Sequence, residues 1–262
     1  MTIKVGVLGA AGRMGATVCG AVHDDVELEL VAVVDASSVG ALLRDVGGPD
    51  VDLEIAGDVA AMKAAGAEVV VDFTVAAAAR SNLLALAADG IHAVVGTTGF
   101  SDEELASFAD AFTESNCVVA ANFAISAVLM MRFAELAAEF FDTAEIIEYH
   151  HNAKIDAPSG TAVATAQRLA AASGRWAADP TEHEVYPGAR GGAGPSGIRV
   201  HGVRMEGMLA HQDVILGALG QTLTIRQDSY DRSSFMPGVV LACKRIADHP
   251  GLTLGLDDIL GI

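Results

Sequence analysis

The chain has 262 residues, enough to bury a sizeable core as one large domain or as two smaller ones. Its net charge of −18 argues against general nucleic-acid binding, because a phosphate backbone would be repelled. No apolar run reaches about 18 residues, and the chain starts directly with a strand-like segment, so we expect neither a membrane span nor a signal peptide. The three cysteines form no CxxC pair, which favours a reduced, cytoplasmic protein without disulfides or a zinc site.

Short Val-rich runs alternate with helical segments over the first half of the chain. The β-like runs read IKVGVLG, ELVAVVD, EVVVDFT, HAVVGTT and CVVAANF. This alternation predicts an α/β fold in which a parallel sheet carries helices on both faces, as in a Rossmann-type domain over 1–122. Ser101 and Glu104 have the spacing of a capping box, so a helix is expected to begin there.

After Asn122 the pattern changes. The segment AISAVLMMRFAELAAEFF predicts one long helix buried against two layers. A strand is predicted over TAEIIEYHH and a helix over SGTAVATAQRLAAAS. The stretch 173–197 is rich in Gly, Pro and Ala without periodicity, so we expect a long loop.

Three β-like runs follow at about 198–206, 209–217 and 221–228 without helices between them, which predicts an antiparallel meander. We therefore expect a second, α+β domain with a mixed or antiparallel sheet over 123–232. The closing helical segment, 233–262, is expected to pack back on the first domain.

A glycine-rich turn joins the first predicted strand to the first helix. In VGVLGAAGRMGA the residues Gly9, Gly12 and Gly15 are spaced G-x-x-G-x-x-G, which lets the backbone approach a pyrophosphate at a helix N-terminus. The spacing differs from the common G-x-G-x-x-G, and the alternative is a tight turn that binds nothing. Asp35 ends the second strand twenty residues after Gly15, where an acidic group can accept hydrogen bonds from both ribose hydroxyls of an adenosine.

The residues after Asp35 bear on the choice of nucleotide. They are Ala36, Ser37 and Ser38 rather than an arginine. Because a carboxylate repels a ribose 2′-phosphate, NADH is expected to be accommodated. Arg13 and the two serines can partly offset that repulsion, so the sequence favours NADH without excluding NADPH.

Residues 148–162 read EYHHNAKIDAPSGTA and combine two histidines, a lysine and a Pro-Ser-Gly-Thr turn. The turn opens a helix, so Gly160 and Thr161 can present backbone N–H groups and a hydroxyl to a carboxylate. Lys154 is a mobile positive charge that can also deliver a proton. His150, with an unperturbed pKa of about 6.5, is a natural proton relay.

The alternative for this stretch is a surface strand with two exposed histidines. Adjacent strand residues point to opposite faces, so His150 and His151 need not both enter a site, and no metal is expected there. Asp156 is expected to orient the loop or cap a turn rather than to take part in catalysis.

The motifs GAAGRMG, VDFT, VGTTGF, AANFAIS and EYHHNAKIDAPSGTA together resemble the dihydrodipicolinate (4-hydroxy-tetrahydrodipicolinate) reductase family of lysine and diaminopimelate biosynthesis, over nearly the whole chain. The resemblance implies an oxidoreductase that reduces a cyclic dicarboxylate, 4-hydroxy-tetrahydrodipicolinate, via dihydrodipicolinate to tetrahydrodipicolinate. It implies that His150 is a proton donor and acceptor, that Lys154 is a proton donor, and that His151, Gly160 and Thr161 bind the substrate. The residues it implies for NADH or NADPH are Gly9, Ala10, Ala11, Gly12, Arg13, Met14, Asp35, Gly96, Thr97, Thr98, Ala120, Ala121, Asn122 and Phe123.

Two departures from the family pattern affect expected specificity. Ala36 stands where members that prefer the 2′-phosphate can carry an arginine. Asn152 and Ala153 stand where members often hold further basic residues, so the site is less cationic there.

The resemblance also implies a homotetramer built through the second domain. The run LAHQDVILGA alternates apolar with polar residues, so one sheet face is expected to need a partner. A charge introduced at Val214 or Leu216 is expected to break the assembly if that side faces the partner.

Two other functions remain open from the residues. A semialdehyde dehydrogenase with Cys117 as its nucleophile would also join a Rossmann domain to a mixed sheet. Cys117, however, lies at the start of a strand that is predicted to be buried, where a thiol is inert. An NAD-sensing protein without turnover would leave the histidines and Lys154 unexplained. Replacement of Lys154 and His150 separates these functions, since only an enzyme loses kcat.

Overall fold

A computed structural model of the chain describes residues 2–262. The strands are β1 Ile3–Leu8, β2 Leu28–Val34, β3 Val69–Asp72, β4 His92–Val95, β5 Cys117–Val119, β6 Thr143–His150, β7 Gly192–Ala193, β8 Arg199–Arg204, β9 Ala210–Ala218, β10 Gln221–Ser229 and β11 Leu252–Leu254. The α-helices are α1 Arg13–Asp24, α2 Ala60–Ala64, α3 Ala76–Ala88, α4 Asp102–Ala111, α5 Ile125–Ala138, α6 Gly160–Ala172, α7 Met236–Arg245 and α8 Asp257–Leu260. The chain folds into two compact units, one of residues up to Phe123 with Arg232–Ile262, the other of Ala124–Asp231.

The first unit is built on a six-stranded sheet with the order β11-β5-β4-β3-β1-β2, in which every neighbouring pair is parallel. All four residues of the Val-rich strand β3 are buried. Successive strand residues point to opposite faces, so both faces of the sheet are covered, as the continuous apolar runs predict. The predicted parallel α/β sheet is confirmed.

The C-terminal segment completes this first unit. Helix α7 contacts α1, and β11 extends the sheet beside β5, with Leu252 opposite Cys117. The predicted capping box is also present in this unit. The Ser101 hydroxyl accepts the N–H of Glu104, whose side chain accepts the N–H of Ser101.

The second unit contains a five-stranded mixed sheet with the order β10-β9-β6-β8-β7. The predicted meander is wrong in its first step, because β8 does not pair with β9. Strand β6 lies between them, parallel to β8 and antiparallel to β9. The chain leaves β6, runs through α6 and the 173–197 segment, and returns as β8, which is the crossover that a parallel pair requires. Only β9 and β10 form the expected hairpin.

One face of this second sheet is covered by the unit's own helices. The Gln212 amide donates to the Thr165 hydroxyl on α6, and Val214 and Leu216 lie on the same face and are fully buried. Val214 and Leu216 are thus covered within the unit itself, so the condition under which a charge at either was expected to break an assembly is not met. The opposite face carries Ile147 and Ile215, which are only half-buried.

Helix α5 corresponds to the long apolar segment, but it is not buried all round. Phe133 and Leu136 are 51% and 55% exposed, three residues apart on one side of the helix. Within residues 2–262, no helix is long and apolar enough to cross a lipid bilayer.

The turn before α1 yields a stability prediction. A Cβ added at Gly15 would lie 1.9 Å from the carbonyl oxygen of Gly9, whereas one added at Gly20, in the same helix, meets nothing within 4 Å. We expect Gly15→Ala to destabilise the protein by about 1–3 kcal/mol through overpacking. Gly20→Ala should be neutral or stabilise the protein by up to about 1 kcal/mol. Urea unfolding measures both, and equal effects would contradict this account of the turn.

Candidate functional site

The β1–α1 turn folds tightly because its glycines let backbone segments touch. Gly9 adopts a φ of +79°, and its N–H and that of Ala10 both donate to the carbonyl oxygen of Val34, over 2.8 and 3.2 Å. The N–H of Gly12 donates back to the Gly9 carbonyl over 3.0 Å. In the described part of the chain, no side chain caps the start of α1, so no side-chain oxygen competes with a bound anion for the N–H groups of its first turn.

Asp35 is joined directly to this turn. Its carboxylate accepts the N–H of Ala11 over 3.1 Å and both the N–H and the hydroxyl of Ser37 over 2.9 and 2.6 Å. Burial raises the pKa of Asp35, but these hydrogen bonds outweigh it, and the net pKa lies below the ordinary value. Asp35 is therefore an ionised acceptor next to the glycine turn.

A cleft of about 410 Å³ opens beside these groups. Gly9, Gly12, Asp35 and Ala36 line one part of it, and the rest is mostly apolar, with Phe73 among its residues. The volume lies within the usual range for small-molecule sites, and the glycines leave room for close approach of a phosphate. The residues present thus fit the adenosine and pyrophosphate part of a dinucleotide.

A buried carboxylate, Asp72, links the loops that follow β3 and β4. It is fully buried and accepts the N–H and hydroxyl of Thr74, over 2.8 and 2.7 Å, and the hydroxyl of Thr97 over 2.9 Å. The Asn82 amide donates to its other oxygen over 3.3 Å. Thr97 is thus held in place by a residue to which sequence reasoning gave no role, although VDFT was among the quoted motifs.

The predicted cofactor residues of the 96–98 and 120–123 segments meet at the Phe73 ring. A Cβ at Gly96 would lie 2.1 Å from this ring, and the rings of Phe73 and Phe123 are 5.9 Å apart. Ala120 continues the sheet by donating its N–H to the Val95 carbonyl. The remaining predicted residues are placed as follows: Arg13, Thr98 and Ala121 are exposed, and Met14 and Asn122 are half-buried.

The second unit holds the predicted acid–base residues. His150 is the last residue of β6, and its Nδ1 lies 2.5 Å from an oxygen of Glu148, which is fully buried. Two nitrogens of Arg204 donate hydrogen bonds to the same carboxylate, over 2.7 and 2.9 Å. Burial lowers the pKa of His150, while Glu148 acts to raise it and the charges of Lys154 and Arg204 lower it further, so the pKa lies below 6.5 and the ring is neutral at pH 7.

Lys154 is held by a second carboxylate. Its ammonium donates to both oxygens of Asp156 over 2.8 Å. Hydrogen bonding to Lys154 lowers the pKa of Asp156. The expectation that Asp156 only orients the loop therefore misses its ion pair with the predicted proton donor.

The PSGT turn starts α6 as predicted. The Ser159 hydroxyl accepts the N–H of Ala162 over 3.2 Å, and Gly160 and Thr161 form the first turn of the helix. His151 lies beyond the end of β6 and is exposed, so the two histidines are in different environments.

Sequence reasoning assigned no role to Glu148 or Arg204, which connect these groups. A glutamate in a strand resembles an ordinary polar residue, and Arg204 is separated from it by 56 positions. The available signal was the spacing of Glu148 and His150, because residues i and i+2 of a strand share a face.

Cys117 does not suit the role of a nucleophile. It is fully buried, and this burial raises the pKa of its thiol far above the ordinary value. The negative charge of Asp72 makes a smaller contribution in the same direction. Among the described residues, no group of three or more His, Cys, Asp or Glu side chains is arranged to hold a metal ion.

Known proteins resemble the chain over its full length. Family models for the N-terminus and the C-terminus of dihydrodipicolinate reductase match residues 3–123 and 126–260. The 4-hydroxy-tetrahydrodipicolinate reductases of Corynebacterium aurimucosum and Beutenbergia cavernae are 51% and 48% identical, each match covering 100% of both chains. The solved structure of dipicolinate-bound dihydrodipicolinate reductase from Paenisporosarcina sp. TG-14 is 37% identical, with a TM-score of 0.89 over 99% of this chain and 100% of that one.

Proposed function

The chain belongs to the dihydrodipicolinate reductase family, and from that premise we propose that it reduces 4-hydroxy-tetrahydrodipicolinate, via dihydrodipicolinate, to tetrahydrodipicolinate in lysine and diaminopimelate biosynthesis. The observation that carries the proposal is the cluster of the second unit, where the acid–base pair His150 and Lys154 is tied by Glu148 and Arg204 to the capped start of α6. The alternative of an NAD-sensing protein leaves this cluster without a purpose.

The first unit is the proposed nucleotide-binding part. When bound there, NADH or NADPH supplies the hydride. The first-turn N–H groups of α1 contact the pyrophosphate, and Asp35 accepts hydrogen bonds from the adenosine ribose. Gly96, Thr97 and Thr98 hold the nicotinamide end, with Thr97 fixed by Asp72.

The second unit is the proposed substrate-binding part. The substrate is a dicarboxylate, so one carboxylate is placed at the start of α6, against Gly160 and Thr161, where N–H groups and the helix dipole favour an anion. His151, exposed near this cluster, is proposed to bind the substrate as well.

Reduction adds one hydride and one proton across a double bond, so the site must deliver a proton where electron density develops. Lys154 carries that proton as its ammonium. His150 is neutral at pH 7, so it can accept a proton and pass one on. The charge of Lys154 contributes to lowering the pKa of His150, which supports a joint role for the two groups.

Replacement of the acid–base pair tests this function. We expect His150→Ala and Lys154→Ala each to lower kcat by roughly 10²-fold, because proton delivery is lost. The Kd for NADH should stay nearly unchanged, since the nucleotide site lies in the other unit. The measurement is a coupled assay with freshly generated substrate, followed at the cofactor absorbance with each nucleotide. The control variant is Lys63→Ala, which removes a lysine that also pairs with an aspartate, Asp89, and which should keep full activity. Retention of the wild-type kcat in both His150→Ala and Lys154→Ala would contradict the proposal.

For the nucleotide we propose that NADH binds at least as well as NADPH, because Asp35 is ionised beside Ala36. Ala36→Arg should raise the affinity for NADPH, since a guanidinium can meet a phosphate bidentately. Ala36→Met adds similar bulk without charge and should not do so. Titration calorimetry with both nucleotides measures this, and a wild-type Kd for NADPH tenfold below that for NADH would contradict it.

We further propose a cytoplasmic homotetramer. The cytoplasmic location is supported by free, buried Cys19, Cys117 and Cys243. The assembly is supported by the family relationship and by the helix-free face of the second sheet, on which Ile147 and Ile215 are only half-buried. Such a face can be covered by the same face of another subunit under closed symmetry.

Light scattering tests the assembly. We expect a mass of four times the 26.8 kDa chain. Ile215→Asp should dissociate the tetramer, because it would bury a charge between subunits. Val26→Asp makes the same kind of change at a residue that is 90% exposed in the first unit, and it should leave the mass unaltered. A compact wild-type monomer would overturn this part of the proposal.

A further inference from the structure

Glu148 collects hydrogen bonds from three elements of the second unit. Its side chain is fully buried. Its carboxylate accepts hydrogen bonds from two nitrogens of Arg204 on β8 and lies in hydrogen-bond contact with the ring of His150 on β6. The backbone N–H of Ser159, which caps α6, donates to it over 3.2 Å. One carboxylate thus connects the acid–base histidine with the start of the proposed anion site.

The contact with Glu148 determines which nitrogen of His150 carries the hydrogen. Glu148 is a carboxylate, because Arg204 and His150 overcome its burial and hold its pKa below the ordinary value. An ionised carboxylate only accepts hydrogen bonds, so the Nδ1 of His150 must be the donor. The neutral ring therefore has its lone pair on Nε2, which is the nitrogen left to exchange a proton.

Arg204 reaches beyond Glu148 to the lysine. One of its nitrogens donates to the backbone carbonyl of Asp156 over 2.7 Å. The carboxylate of the same Asp156 holds the Lys154 ammonium. The position of Lys154 thus depends on a loop residue whose backbone is fixed by Arg204.

We propose that the Glu148–Arg204 ion pair positions both His150 and Lys154. Glu148 fixes the tautomer of His150, and Arg204 fixes the backbone of the loop residue that binds the Lys154 ammonium. This rests on the function proposed above for the two residues. Neither Glu148 nor Arg204 needs to touch the substrate, because each acts through a neighbour. The expected consequence of their loss is a lower kcat, with nucleotide binding unaffected.

The same strand offers a matched control. Glu145 lies on the opposite face of β6 and binds an arginine and a histidine in the same way, with Arg190 at 2.5 Å and His201 Nε2 at 2.6 Å. Its replacement removes a trio of the same composition, with a carboxylate that is 32% exposed rather than buried. Because Glu145 pairs with Ile215 on the proposed subunit face, the mass of Glu145→Gln is checked by light scattering before its kcat is compared.

The test measures the His150 tautomer by ¹⁵N NMR on histidine-labelled full-length protein, together with kcat, KM and the Kd for NADH. Wild-type His150 should be the Nδ1–H tautomer. Glu148→Gln alone leaves the charge of Arg204 without its carboxylate and is expected to destabilise the fold. The main variant therefore carries Glu148→Met and Arg204→Met together, which removes both charges while keeping side chains of similar length. In this double variant we expect a shift towards the Nε2–H tautomer and a roughly 10²-fold lower kcat.

The outcomes separate this inference from the proposed function. Glu145→Gln should keep the wild-type tautomer of His150 and the wild-type kcat. An Nε2–H ring in the wild type, an unchanged kcat in the double variant, or an equal loss in Glu145→Gln would each overturn the inference. A wild-type protein without reductase activity would instead refute the proposed function, and the tautomer measurement would still decide whether Glu148 orients His150.

Discussion

The arrangement of the second unit depends on the burial of one charge. A carboxylate with no solvent exposure must be matched by donors, and Glu148 is matched by Arg204, His150 and the N–H of Ser159. This arrangement also constrains the neighbouring strand. Gly202 lies opposite Glu148, and a Cβ at Gly202 would lie 3.1 Å from the Glu148 carboxylate oxygen. Removal of one partner from such a buried pair typically costs about 3–5 kcal/mol. The geometry around His150, the proposed acid–base residue, is thus coupled to the stability of the second unit.

The first unit uses the same physical device at Asp72. This carboxylate lies at the end of β3, is fully buried, and is satisfied by hydroxyl, amide and backbone donors of the loops around it. Asp72 fixes the loop that carries Thr97, while the glycine turn is fixed by backbone contacts and by Asp35. In both units, residues on loops are positioned by a carboxylate on a rigid strand, which is how loops achieve defined geometry.

Local patterns could be predicted from the sequence, and long-range pairings could not. Val-rich runs between helices indicate a parallel sheet because burial on both faces leaves no polar alternation. The turn from Gly9 to Gly15, the capping box at Ser101 and the start of α6 depend on neighbours within a few residues. The insertion of β6 between β8 and β9 depends on pairing between distant segments, which composition does not encode. For the same reason Glu148 and Arg204 were missed, and the sequence left open which sheet face Val214 and Leu216 occupy.

The charge distribution of the second unit bears on how a protein with a net charge of −18 would hold the proposed dianionic substrate. The charge of Arg204 is balanced by Glu148, and that of Lys154 by Asp156, so neither cation is free in this structure to attract a carboxylate. The two pairs differ in burial. Glu148 is fully buried, whereas the side chain of Asp156 is 61% exposed. An exposed ion pair contributes little free energy, so a substrate carboxylate can displace Asp156 from Lys154 at small cost while the buried pair stays intact. In the proposed reaction, the more exposed pair thus provides the charge for binding, and the buried pair keeps His150 in place while that exchange occurs.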